Sequence, residues 1–222
     1  MSHGIDYNLV KACDASKDTI SYGEKLQIRG LDKWNDSCSL KVTCAGGAKV
    51  SGKMAGSLTP EYAASTTAYK LASFFSGSTG LKDASRLDLG DIALASYCYS
   101  NMFSGCTSLT KAPALPATAL ADRCYYRMFS GCTALTQSPA LPATTLASSC
   151  YSSMFSGCSN LTSAPDLPAT TLAGSCYRYM FSSCLKVTEL HYPASIQNDS
   201  TFTGMSGSPW FGATNATVHY DL

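Results

Sequence analysis

Cys124-Tyr-Tyr-Arg-Met-Phe-Ser-Gly-Cys132 is the stretch on which the reading of this chain turns. Cys98-Tyr-Ser-Asn-Met-Phe-Ser-Gly-Cys106 precedes it, and Cys150-Tyr-Ser-Ser-Met-Phe-Ser-Gly-Cys158 and Cys176-Tyr-Arg-Tyr-Met-Phe-Ser-Ser-Cys184 follow. The two cysteine series, 98/124/150/176 and 106/132/158/184, advance by one and the same step. Each of the first three copies is followed by Leu-Thr-x-[Ala/Ser]-Pro-x-Leu-Pro-Ala-Thr-x-Leu-Ala, from Leu109, Leu135 and Leu161. A degenerate copy stands ahead of them, where Phe75-Ser-Gly-Ser-Thr-Gly-Leu81 echoes Phe103-Ser-Gly-Cys-Thr-Ser-Leu109. About five units run from roughly residue 74 to residue 193.

A period of about 20–29 residues with leucines fixed in each copy reads as a leucine-rich solenoid, in which no copy can bury its apolar side alone. On a helical wheel of about 100° per residue, Leu120, Cys124, Tyr125, Met128, Phe129 and Cys132 share one half. Asp122, Arg123, Tyr126, Arg127 and Ser130 share the other. The wheel predicts a helix over Leu120–Cys132, with Gly131 near its end. The hydroxyls of Tyr99, Tyr125, Tyr151 and Tyr177 are expected at the solvent edge. Leu109 to Leu115 reads as a short strand with Leu109, Ala112 and Leu115 inward. Pro113, which lacks a backbone donor, limits that strand to two or three residues. The expected fold class is an α/β repeat: a right-handed leucine-rich repeat solenoid of short parallel strands and helices with β-rich terminal caps. The expected division is 1–72 as a β-rich flank or cap, 73–193 as the solenoid and 194–222 as a C-terminal cap. Within the last of these, Ala216-Thr-Val-His-Tyr220 reads as a strand, and Phe202, Trp210, Phe211, Val218 and Tyr220 supply apolar cover.

Composition narrows the function classes. The 222 residues carry 16 Lys and Arg against 15 Asp and Glu, a net charge of +1. No global field draws the chain to nucleic acid. Only 6 of these 31 charges fall between residues 98 and 184, so the flanks hold most of them. No run approaches the ~18 apolar residues of a membrane span. Met1 to Asp6 shows no basic region before an apolar stretch, so no signal peptide is expected.

Chemistry-bearing patterns are few. Cys-x7-Cys is not a usual zinc spacing, and the histidines are only His3, His191 and His219. The repeat cysteines read instead as small buried hydrophobes stacked in columns. Cys13, Cys38 and Cys44 lie outside the repeat, and a bridge among them stays open. Gly47-Ala-Lys-Val-Ser-Gly52-Lys53 has the glycine and lysine spacing of a phosphate-cradling loop. Met54, however, stands where Ser or Thr must hold Mg²⁺. Part of a hairpin with Ser39–Cys44 is the plainer reading. No catalytic residue, cofactor or metal is assigned, and the chain is read as not an enzyme.

The combination of Leu-Thr-x-Ala-Pro-x-Leu-Pro with Met-Phe-x-Gly-Cys resembles the BspA-like leucine-rich repeats of bacterial surface proteins. The nearest likeness is the subgroup rich in LPATTLA and CYxxMFxGC units of gut Bacteroidetes and their phages. It covers roughly 74–193, just over half the chain. The unit departs from the commoner pattern in being longer and in the proline within the strand. The resemblance implies a surface adhesin or a virion attachment component, at the cell surface, outside the cell or on a virion. The expected function is non-catalytic attachment to a protein or glycan through a rigid repeat surface. The alternative is a structural spacer or virion decoration subunit that self-assembles through its caps. Thr110, Lys111, Thr136, Gln137, Thr162, Ser163 and Asp166 occupy the exposed strand positions and are the candidate partner-binding residues. No nucleic acid and no membrane span is expected.

Overall fold

The computed structural model describes residues 48–53, 68–90, 92–199 and 216–222. Its strands are β1 (Ala48–Lys53), β2 (Leu81–Asp88), β3 (Glu189–His191) and β4 (Thr217–His219). They form two parallel pairs, β1 with β2 and β3 with β4. A short 3₁₀ turn, Ala194–Ile196, follows β3. β1 contains Gly52 and Lys53 in ladder register with Leu87 and Asp88, so this stretch is a strand and not a phosphate loop. Its partner is β2; the expected hairpin mate, 39–44, lies outside the described residues.

The segment expected to be a helix is not one. Tyr97, Asn101 and Gly105 have φ of 59°, 55° and 73°, and Arg123, Arg127 and Gly131 have 53°, 53° and 74°. An α-helix requires negative φ throughout and bonds from i to i−4. Here alternate N–H groups bond to i−3: Cys124 to Ala121, Tyr126 to Arg123, Met128 to Tyr125, and Ser130 to Arg127. The intervening N–H groups leave the copy. Tyr97, Tyr99, Asn101, Phe103 and Gly105 donate to the carbonyls of Asp122, Cys124, Tyr126, Met128 and Ser130 in the next copy, at 2.7–3.0 Å. The same pattern joins 123–131 to 148–156 and 149–157 to 174–182. Each copy is therefore a ribbon of overlapping turns, half satisfied within itself and half by its neighbour.

The side chains expected inside are inside, apart from Leu120, which is half-buried. Cys124, Tyr125, Met128, Phe129 and Cys132 are buried, and the other copies match. Inward positions recur at every fourth position, 124/128/132 and 125/129. Four residues of helix overshoot one turn by only about 40°, so over three steps a wheel still gathers them on one side. Side-chain patterning thus located the core without identifying the backbone.

The columns continue from copy to copy. Phe75, Phe103, Phe129, Phe155 and Phe181 stack with centroids 5.5–5.6 Å apart and planes within 13°. Tyr99, Tyr125, Tyr151 and Tyr177 stack at 5.8–6.1 Å. Tyr192 ends that column edge-on, at 73° to Tyr177. The tyrosines are buried rather than set at the solvent edge, and the Tyr99 hydroxyl donates to Leu89 O at 2.8 Å. After the three middle ribbons the expected strand shrinks to single parallel bridges, Asp83–Lys111 and Gln137–Ser163, whereas β2 follows the first copy and β3 the last. Pro113, just beyond Lys111, removes a donor that a longer ladder would need. Leu109 and Leu115 are buried as expected, and Ala112 is half-buried.

Two substitutions probe this arrangement by urea unfolding. Phe129→Ala, opening a hole between two stacked rings, should cost ~3–5 kcal/mol. Ser153 has φ of 54°. Ser153→Gly should leave stability unchanged or raise it, since left-handed φ costs a non-glycine residue about 1–2 kcal/mol. A loss of several tenths of a kcal/mol, as glycine gives inside a helix, would contradict the ribbon.

Candidate functional site

The ribbon that builds the core also fixes an outer face. Its left-handed residues point their side chains away from the buried columns: Tyr97, Arg123, Arg127, Ser149, Ser153, Ser175 and Tyr179 all have positive φ. Together with Tyr126, Ser152 and Arg178 they line an open trough of about 540 Å³. Arg123 lies over the Tyr97 ring at 5.3 Å, Arg127 over Tyr126 at 5.6 Å and Arg178 over Tyr179 at 4.9 Å. Tyr97 in turn stacks on Tyr69 at 4.6 Å. Among the described residues, no carboxylate lines the trough. Each guanidinium is steadied by a ring, and Arg178 also donates from Nη2 to the Tyr179 hydroxyl at 3.4 Å.

Thr110, Lys111, Thr136, Gln137, Thr162, Ser163 and Asp166 are all exposed. Parallel bridges set Gln137 beside Ser163 and Lys111 beside Asp83. Their chemistry is largely spent on the fold. Thr110 Oγ1 donates to Lys82 O at 3.0 Å, and Thr162 Oγ1 donates to Thr136 O at 3.1 Å. Asp83 is held below the usual carboxylate range, first by the Ser85 hydroxyl and backbone N–H, then by the charges of Lys111 and Lys49. Lys111 thus faces a neighbouring carboxylate. The row is flat and nearly neutral, whereas the trough is concave and cationic.

The cysteine columns are structural. The eight repeat cysteines are buried, unbridged thiols. The second column is hydrogen-bonded across copies: Sγ–H of Cys106, Cys132, Cys158 and Cys184 donates to O of Phe75, Phe103, Phe129 and Phe155 at 3.0–3.1 Å. Burial pushes Cys98, Cys124 and Cys184 up to about 12, and Cys132, Cys150, Cys158 and Cys176 upward as well. A thiol held protonated is neither a nucleophile nor a metal ligand. Cys13, Cys38 and Cys44 lie outside the described residues, as do His3, Phe202, Trp210 and Phe211.

A second polar cluster, absent from the sequence reading, lies where β3 meets β4. His191 and His219 are in register and stack at 4.8 Å. Asp221 Oδ1 is 2.9 Å from His191 Nδ1, and Glu189 Oε2 is 4.0 Å from His191 Nε2. The hydrogen bond that His191 donates to Asp221, with the charges of Asp221, Asp166 and Glu189, raises the His191 pKa above its ordinary value. The same bond, and the His191 charge, lower that of Asp221. The signal in the sequence was slight: Glu189-Leu-His191 and Thr217-Val-His219 align only once β3 and β4 are known to pair.

No protein-family model matches the chain, and neither a curated protein nor a solved structure does. Among the described residues, no helix is long and apolar enough to cross a membrane.

Two measurements check the electrostatics. In the native protein the eight repeat thiols should resist a disulfide reagent; after unfolding without reductant all eight should react. The His191–Asp221 pair should stabilise the fold between the two ordinary pKa values. A raised His pKa gives stability that is complete below about 6.5 and is lost as pH rises through the folded value. A depressed Asp pKa gives stability that is present above about 3.9 and is lost as pH falls through the folded value. An NMR titration should place His191 above the ordinary histidine value, and Asp221→Asn should bring it down.

Proposed function

We propose that the chain is a non-catalytic binding module, a stack of leucine-rich-type copies that attaches to an acidic glycan or acidic protein surface through the Arg/Tyr trough. One observation carries this reading: three guanidiniums and three tyrosine rings are paired on one face of a hydrogen-bonded backbone, with no carboxylate among the described lining residues. Arginine forks match carboxylate and sulfate oxygens with paired donors. Tyrosine faces accept the apolar side of a sugar ring or a peptide side chain. Ser149, Ser152, Ser153 and Ser175 add hydroxyls along the floor. The rigid frame limits what binding must spend on ordering. This moves the favoured face from the Thr/Lys/Gln row to the trough.

The second reading is a spacer or decoration subunit that assembles through its ends. It is favoured by β4 at the C-terminal end, where Val218 is 37% and Leu222 47% exposed. Such apolar exposure beside a strand is a route to self-association.

Binding to immobilised heparin and to sialylated and neutral glycans, each at two salt concentrations, tests the first reading. The triple variant Arg123→Ala/Arg127→Ala/Arg178→Ala should lose at least ~10-fold in affinity for the anionic ligands, about 1.4 kcal/mol. Lys111→Ala/Gln137→Ala should change it little. Loss only in the second variant would move the site to the strand row. A solution mass that rises with concentration, and falls to the monomer in Val218→Lys, would favour assembly.

A further inference from the structure

We propose that the β3–β4 end of the chain is a divalent transition-metal site of the zinc class, with Glu189, His191 and His219 as ligands. The parallel register sets His191 opposite His219, and Glu189 lies two positions before His191, on the same side of β3. One ligand atom from each of the three lies within 4.8 Å of the others. Zinc bonds of about 2.0–2.2 Å put the ligands of a tetrahedral site ~3.3–3.5 Å apart. The observed spacing is therefore slightly open. Closing it requires the Glu189 carboxylate, whose side chain is 66% exposed, to move in and the two stacked imidazoles, whose planes lie 13° apart, to tilt toward a common point.

The strongest support is the partner behind His191. Asp221 Oδ1 and Oδ2 lie 2.9 and 3.1 Å from Nδ1. A carboxylate there holds the imidazole proton on Nδ1 and leaves the Nε2 lone pair facing Glu189. That is the arrangement by which a carboxylate orients and enriches a metal-ligating imidazole. Asp166 contributes further negative charge near His191. Two imidazoles and one carboxylate suit zinc, nickel or copper rather than calcium or magnesium, which prefer all-oxygen sites. The fourth position would be left to solvent. β3 and β4 are only three residues each, so a metal bridging them would clasp the terminal strand to the last copy. Asp221 is a positioning residue here, not a ligand.

Titration calorimetry of the full chain with ZnCl₂ tests the assignment. One ion per chain with micromolar affinity is expected, together with a rise in melting temperature on loading. His191→Ala and His219→Ala should each lose at least ~10-fold. Asp221→Asn should weaken affinity by ~10-fold, the scale of orienting carboxylates, without changing the stoichiometry. These side chains sit at the surface, so each variant should keep the wild-type apo melting temperature to within a few degrees. Absence of binding overturns the proposal. So does wild-type affinity retained in His191→Ala/His219→Ala, which would put the ion on His3 or on thiols outside this cluster.

Discussion

Half of the backbone donors in each ribbon that another copy follows bond outside their own copy. Tyr125, Arg127, Phe129 and Gly131 can be satisfied only by carbonyls of the copy that follows. An α-helix closes its hydrogen bonds internally and tolerates a changing neighbour. This ribbon does not. A buried N–H without a partner costs about 1–3 kcal/mol, so a lone copy with several such donors would not hold its shape. The strict spacing within the ribbon follows from that. The first copy is longer outside its ribbon, and Ser73, Phe75 and Gly77 still donate to Ser100, Met102 and Ser104; an insertion inside the ribbon would slide the donors beyond it off their acceptors.

The rest of the structure takes its form from this ladder. Its step sets the 5.5–6.1 Å separation of the phenylalanine and tyrosine stacks. It also brings each second-column thiol onto the carbonyl of the preceding phenylalanine copy. Where the repeat degenerates, the columns are filled by other means. Lys70 is buried at the place Cys98 takes one copy later, and its Nζ donates to Ala93 O at 2.9 Å. Burial pulls its pKa down. On the outer side, the ribbon demands left-handed backbone at every fourth residue. Gly105, Gly131 and Gly157 meet that demand freely, and Asn101 with little strain. Tyr97, Arg123, Arg127 and Tyr179 meet it at a cost. These strained positions carry four of the six paired rings and guanidiniums of the trough, which is where strain concentrates when a surface has a task.

Much of this was legible in the sequence, but unevenly. The inward columns were, because an exact repeat of Cys, Met and Phe leaves no doubt about which side is buried. The backbone was not. A four-residue spacing within so short a segment falls on one side of a helical wheel, and positive φ at Arg or Tyr has no sequence signature. Pro113 correctly announced a short strand, and the structure shortens it to one bridge. The exposed row from Thr110 to Asp166 was found, yet the use of Thr110 and Thr162 hydroxyls on neighbouring carbonyls could not be. The arginines and tyrosines of the trough were visible as outward residues, without the pairing that makes them a site. Glu189, His191, His219 and Asp221 were separated by segments with no repeat to align them, so only the β3–β4 register brings them together.

The most direct test of the ribbon is NMR scalar coupling across hydrogen bonds in the full chain. Phe103 N–H should couple to the Met128 carbonyl carbon, and Phe129 N–H to that of Met154, while Met128 N–H couples to Tyr125. Coupling of Phe129 N–H to Tyr125, the i−4 bond of a helix, with no coupling across copies, would contradict it.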